Sequence, residues 1–243
     1  MGHGKSKSKT LNADDNKYTK AFNDSGKELA DKLLQDALSG EKSSIDSKLV
    51  RKLKKQGIDL KISTKIFHNL NDIDNPKEIK ELSQLLNKSL KFVGLLNGLF
   101  VQNGNKGIQR LEVLPIVNKN KDVKGSYTYG LSRMRLSSYP LYSVATRGKS
   151  KGSGWSTSSY NPNYTAIHEF GHHIDSSLNL SSSVGKGKKA VSEYGNKNEK
   201  EAFAEAFVHY CLGTKPVNGK AYYKEFCSTM KSNGLGYFKG CIK

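Results

Sequence analysis

The chain has 243 residues, with 40 lysines and arginines against 22 aspartates and glutamates, and a formal net charge of +18. This length suits one domain with an appendage and is ample for a buried core. No run of about 18 apolar residues occurs, so we expect no membrane-spanning helix, and the basic N-terminal segment lacks the apolar stretch of a secretory signal. The lysine-rich surface is equally compatible with polyanion binding and with plain solvation.

Residues 1–25 are rich in Lys, Ser, Asn, Asp and Gly and have almost no aliphatic side chains. Such a segment cannot bury enough surface to offset the entropy of ordering, so we predict a flexible basic tail that could contact a polyanion. Residues 26–243 are predicted to form one domain. Its helical part extends to about residue 100, and a sheet and a functional site follow over about residues 101–243.

Apolar residues at helical spacing from Lys27 onward predict a helix that stops at Gly40. A second helix is predicted over Ile45–Gln56 and a short strand over Ile58–Ile62. Pro76 is expected to open a third helix with a wide apolar face, which is typical of core packing. That face consists of Ile79, Leu82, Leu85, Leu86, Leu90 and Val93.

Residues 107–145 alternate β-branched, aromatic and polar types between Gly and Asn turns, which predicts three or four strands of a small sheet. A Gly- and Ser-rich loop, Arg147–Ser159, follows without periodicity and is a candidate groove wall. One helix is then predicted over residues 161–175, with Asn161 as its N-cap and Pro162 at its first position.

This helix contains the pattern His168-Glu169-x-x-His172. Four residues advance a helix by slightly more than one turn, so the two imidazoles lie on one face and can share one metal ion. Glu169 follows His168 by about 100° around the helix. Its carboxylate therefore lies beside the water that the metal activates, where it can act as a general base. The alternative is a solvated helix face.

A site of this kind needs a third ligand, and the sequence restricts it. Asp175 and Leu178 occupy the positions where metzincin-type sites have Gly and His, so that class is excluded. The other common source is a glutamate from a second helix downstream. Residues 199–207 predict such a helix, with Asn198 as its cap and Gly213 as its end.

Glu201 and Glu205 lie one turn apart on this second helix. Such a pair is usually a solvated stripe, but opposite two histidines it can supply a ligand and a supporting carboxylate.

Two further histidines are weaker candidates for a role in the site. His173 points about 100° away from His172 and is interpreted as a helix-surface residue. His209 lies two turns beyond Glu201 and is an alternative ligand or substrate contact.

The segment over residues 192–207, together with residues 168–172 and Asp175, closely resembles the catalytic domain of the anthrax lethal factor family. The relatives include secreted Pro-Pro endopeptidases of clostridia. The resemblance is specific over about residues 160–210 and loose over the sheet before them. The basic tail and the lack of a recognisable signal depart from the secreted relatives, so the sequence does not predict the compartment: cytoplasm, virion or export by a non-standard route.

The resemblance implies one Zn²⁺ per chain, held by His168, His172 and Glu201. It implies that Glu169 acts as base and then as acid, and that Tyr194 donates a hydrogen bond to the oxyanion of the tetrahedral intermediate.

The resemblance also implies that Glu205 orients a zinc ligand without touching the metal. A substrate strand is expected to pair with the edge of the sheet, here Gly125–Leu136. The predicted fold is α+β and zincin-like: a small mixed sheet packed against helices, with the His-Glu motif on one helix and the glutamate on the next.

The sequence therefore predicts a monomeric zinc endopeptidase that acts on a protein or peptide substrate. The alternative is a basic nucleic-acid- or virion-associated binding protein that retains the zinc helix as a scaffold.

Overall fold

The computed structural model describes residues 45–63, 76–114, 123–138, 156, 161 and 163–242, with the backbone alone for residues 76–79. The tail over residues 1–25, the helix predicted over Lys27–Gly40 and most of the Arg147–Ser159 loop lie outside the described residues. No helix in the described part of the chain is both long enough and apolar enough to cross a bilayer.

The described chain combines five α-helices with one four-stranded mixed sheet, as the predicted α+β class requires. The helices are α1 (Ser47–Lys55), α2 (Pro76–Gln102), α3 (Tyr164–Leu178), α4 (Glu199–Leu212) and α5 (Lys220–Ser232). The strands are β1 (Asp59–Ile62), β2 (Arg110–Leu114), β3 (Gly125–Thr128) and β4 (Arg133–Ser137). Short 3₁₀ turns cover Ser181–Ser183, Tyr194–Lys197 and Gly236–Phe238.

The sheet has the strand order β1-β2-β4-β3. β1 pairs with β2 and β2 with β4 in parallel, whereas β3 pairs antiparallel with β4, with Gly125 opposite Leu136 and Thr128 opposite Arg133. Only part of the predicted edge segment, Gly125–Leu136, therefore lies at an edge of the sheet. β3 borders the sheet among the described strands, whereas Arg133–Leu136 belongs to β4, which has a neighbour on each side.

Helix α2 continues to Gln102, well beyond the apolar face that ends at Val93, although Gly94, Asn97 and Gly98 interrupt the pattern. The two glycines allow α1 to pack closely: a Cβ at Gly94 would lie 3.0 Å from Leu53 Cδ2, and one at Gly98 would lie 3.1 Å from Gln56 Nε2. Gln56 Nε2 also donates to the Gly94 carbonyl at 2.9 Å. The glycines serve packing between helices and do not end the helix.

The core is built around α3 and α4. Gly171 of α3 lies against Ala204 of α4, and the rings of Phe170 and Phe207 stack beside this contact with centroids 6.4 Å apart. Phe238 packs edge-on against Phe207 at 5.3 Å. Burial of each of these side chains stabilises the fold by roughly 1.5–3 kcal/mol, so the relative position of the two helices is strongly determined.

We predict that Gly171→Ala destabilises the protein by about 1–3 kcal/mol, because the added methyl group overpacks the contact between the helices. The new Cβ would lie 3.0 Å from the Ala204 Cα atom and 3.2 Å from the Phe207 Cβ atom. Gly236→Ala is the matched control, since a Cβ there meets no atom within 4 Å. Urea unfolding with a metal chelator present measures both variants. If Gly171→Ala and Gly236→Ala unfolded at the same urea concentration, the close contact between Gly171 and Ala204 would be contradicted.

Candidate metal centre and catalytic site

Helix α3 carries two of the predicted metal ligands. It begins at Tyr164 after the N-cap Asn163, so the start predicted at Asn161 and Pro162 is two residues too early. Asn161 instead accepts a hydrogen bond from the Asn163 backbone N–H at 3.0 Å. His168 and His172 are both buried, and their Nε2 atoms are 3.2 Å apart.

Helix α4 supplies the third donor. Asn198 accepts a hydrogen bond from the Glu201 backbone N–H at 2.9 Å, and Gly213 ends the helix in the left-handed conformation, as predicted. The cap orients the first turn so that Glu201 Oε2 lies 3.0 Å from His168 Nε2 and 3.3 Å from His172 Nε2.

These three donor atoms form a group that could hold a metal ion. Ligands at about 2.0–2.1 Å from a tetrahedral zinc lie roughly 3.3 Å from one another. The separations of 3.0, 3.2 and 3.3 Å in this group match that value. Two imidazoles and one carboxylate are also a common ligand set in catalytic zinc sites. The residues therefore fit the ion that the sequence predicts.

The charges around the histidines favour a cation. Burial lowers the pKa of His168, but the nearby carboxylates of Glu201 and Glu205 outweigh it and raise that pKa to about 10. Burial likewise opposes ionisation of Glu201, but hydrogen bonds from His168 and His172 hold its pKa well below the usual range. The ionised carboxylates attract either a proton or a divalent metal to the imidazoles.

Glu205 and Glu169 are two further buried glutamates near His168. Glu205 is fully buried, and its Oε1 lies 2.9 Å from His168 Nδ1, which is the place expected for a carboxylate that orients a ligand. Glu169 does not belong to the donor group. Its side chain lies against β3: a Cβ added at Gly125 would be 2.9 Å from Glu169 Oε1. Burial raises the pKa of Glu169, although the charges of His168 and His172 oppose that shift.

A cavity of about 650 Å³ borders these residues. Its lining includes His168, His172, Glu201 and Glu169 on the helices, Gly125–Tyr127 on the edge strand, and Tyr194. The Tyr194 ring lies 5.9 Å from the His168 ring. Burial and then the charges of Glu201 and Glu169 raise the Tyr194 pKa to about 12, so its hydroxyl is a hydrogen-bond donor at neutral pH.

His173 is fully buried, so its interpretation as a surface residue is wrong. The ring is enclosed by Phe100 and Phe170, because α2 and the sheet cover this side of α3 as well. Its Nε2–H donates to the Lys106 carbonyl at 3.0 Å, and its Nδ1 accepts from the Tyr127 hydroxyl at 2.9 Å. His209 bonds Thr214 and does not join the donor group.

The second ligand has a partner that sequence reasoning missed. The Tyr129 hydroxyl lies 3.0 Å from His172 Nδ1 and 3.3 Å from Asp175 Oδ2. Asp175 in turn accepts hydrogen bonds from the Ser181 backbone N–H at 2.7 Å and from the Ser181 hydroxyl at 2.9 Å. Tyr129 alternates with Tyr127 in sequence, but nothing in that pattern distinguishes it from an ordinary sheet tyrosine.

No protein-family model matches the chain, and no curated protein matches it. The resemblance to the lethal factor family therefore rests on the residues of α3, α4 and the segment between them.

We predict that the purified protein binds about one zinc ion per chain and that Glu201→Ala loses most of it, because one of three donors is removed. Glu199→Ala is the matched control: Glu199 is exposed on the same helix and borders the same cavity without belonging to the donor group. Elemental analysis after dialysis measures both. Zinc retained equally by the two variants would contradict the assignment of Glu201.

We predict that His173 makes the protein less stable in acid. Burial lowers the pKa of His173 to about 4, against 6.5 for a free histidine. Between these values the unfolded chain binds a proton that the folded chain does not. Stability therefore falls as pH drops from 6.5 to 4, by up to about 3 kcal/mol.

Denaturant unfolding at several pH values, with a chelator present, tests this dependence. His173→Gln should unfold with a shallower pH dependence over that interval than the wild type. Parallel curves for the two proteins would show that another group is responsible.

Proposed function

We propose that the protein is a zinc-dependent endopeptidase of the zincin-like, lethal factor-like type. The observation that carries the proposal is the convergence of His168 Nε2, His172 Nε2 and Glu201 Oε2 at 3.0–3.3 Å from one another, beside a cavity that Glu169 also lines. A protein that kept this helix only as a scaffold would have no need to bury the Glu169 carboxylate, which lies near the three donors without being one of them.

His168, His172 and Glu201 would hold the ion. A zinc ion bound there would lower the pKa of a water molecule and polarise the scissile carbonyl of the substrate. Glu205 fixes His168 through the contact at Nδ1, so the Nε2 lone pair of that ring is directed toward the other two donors.

Glu169 is the proposed proton carrier. Its carboxylate takes a proton from the attacking water and delivers it to the leaving amine. Burial raises its pKa, which makes the carboxylate a stronger base than an exposed glutamate. Tyr194 remains protonated at neutral pH and can donate a hydrogen bond to the oxyanion as the carbonyl carbon becomes tetrahedral.

The substrate is proposed to be a protein or peptide that binds as an extended strand along β3. Gly125, Ser126 and Tyr127 of this edge strand line the cavity beside Glu169. The backbone of an edge strand offers hydrogen-bonding groups that a peptide can pair with. All proposed catalytic and ligand residues come from one chain, so the enzyme can act as a monomer.

We predict that Glu169→Gln lowers peptide turnover by about 10²–10⁴-fold, because the amide cannot accept the proton. Zinc content should stay at the wild-type level, since Glu169 does not belong to the donor group. Cleavage of a peptide library, read by mass spectrometry, measures turnover. Glu199→Gln, which alters an exposed carboxylate at the same cavity, should cleave like the wild type.

Full activity of Glu169→Gln on every cleaved peptide would contradict the mechanism. If zinc-loaded wild type cleaved nothing while the chain bound nucleic acid with a steep salt dependence, the binding-protein alternative would be favoured.

A further inference from the structure

We infer that Tyr129 is a positioning residue of the metal centre: its hydroxyl connects His172 to Asp175 and directs the Nε2 atom of His172 toward the other two donors. The inference rests on the proposed function, since it concerns the affinity of the same three donors for zinc. Nothing in the motif or in the lethal factor resemblance points to this tyrosine.

The direction of the hydrogen bonds follows from Asp175. This side chain is buried, and its two oxygens already accept from the backbone N–H and the hydroxyl of Ser181. A carboxylate only accepts, so the single proton of the Tyr129 hydroxyl is donated to Asp175 Oδ2. The Tyr129 oxygen is then left with lone pairs and acts as the acceptor for His172.

The tautomer of His172 follows in turn. An accepting oxygen 3.0 Å from Nδ1 requires the proton of the neutral ring to be on Nδ1. Nε2 then carries the lone pair, and this is the atom that lies 3.2 Å from His168 Nε2 and 3.3 Å from Glu201 Oε2. Tyr129 therefore presents the correct nitrogen of His172 before the metal binds.

The ring of Tyr129 is itself held on three sides. It packs edge-on against Tyr127, with ring centroids 5.4 Å apart, and against His172 at 6.0 Å. The Lys200 ammonium lies 4.0 Å from the Tyr129 ring centroid, in a cation–π contact one residue before the ligand Glu201. Tyr129 thus touches both ligand-bearing helices, and its hydroxyl has little freedom to move.

The two ligand histidines are supported differently. His168 contacts the carboxylate of Glu205 directly at 2.9 Å, whereas His172 reaches the carboxylate of Asp175 through a tyrosine. The Tyr127 hydroxyl makes a comparable bond to the neighbouring His173, which is not a ligand. The chain therefore contains its own matched control. Tyr127 and Tyr129 each bond a histidine of α3, but only the partner of Tyr129, His172, belongs to the three metal donors.

The test is the zinc affinity of the full-length wild type, Tyr129→Phe and Tyr127→Phe, measured by competition with a chromophoric chelator. Tyr129→Phe should bind zinc about 10–100-fold more weakly, as is typical when the partner of a ligand histidine is lost. Tyr127→Phe should bind within about threefold of the wild type. The visible spectrum of the Co²⁺-substituted protein should change in Tyr129→Phe alone.

Wild-type affinity in Tyr129→Phe, or equal weakening in both variants, would overturn the inference and leave the zinc site intact. A wild type that binds no zinc would overturn the proposed function as well. The tautomer gives a second measurement if Tyr129→Phe does not fold. Nitrogen NMR of the zinc-free wild type should show the proton of the neutral His172 ring on Nδ1, and a proton on Nε2 would overturn the inference.

Discussion

The structure depends on the close approach of helices α3 and α4, which bring side chains of opposite charge together in the protein interior. Glu201 and Glu205 of α4 lie within 3.0 Å of the two nitrogens of His168 on α3. Gly171 makes that approach possible, since its missing side chain leaves room for the Ala204 backbone. The aromatic core beside this contact supplies the apolar burial that offsets the desolvation of the charged groups.

The sheet residues that line the cavity come from the edge strand β3. β3 reaches α3 at three points: Gly125 against Glu169, Tyr127 against His173, and Tyr129, just beyond the strand, against His172. The strand proposed to bind the substrate is therefore bonded to the helix that would hold the metal. A displacement of β3 would move the contacts of Glu169 and of His172 together, which links the proposed substrate edge to the proposed metal centre.

Local sequence rules predicted the parts of the site that depend on local geometry. The spacing of His168 and His172 requires only helix periodicity, and the limits of α4 follow from Asn198 and Gly213. The extent of α2 was not predictable from the sequence, because Gly94 and Gly98 usually weaken helices and here serve the packing of α1. The burial of His173 and the hydrogen bonds of Tyr129 arise from contacts between distant segments, which no local pattern encodes.

Burial is the strongest argument that these residues form a working site and not a solvated face. A polar stripe that served only solubility would leave its charges in water. Here His168, Glu169, His172 and Glu205 are all buried. Isolated charges in such a place are costly unless they are paired or coordinate a metal, and replacement by apolar residues is often stabilising. The fold retains this cost beside the three donors, which supports the proposed function and is not expected of residues that serve stability alone.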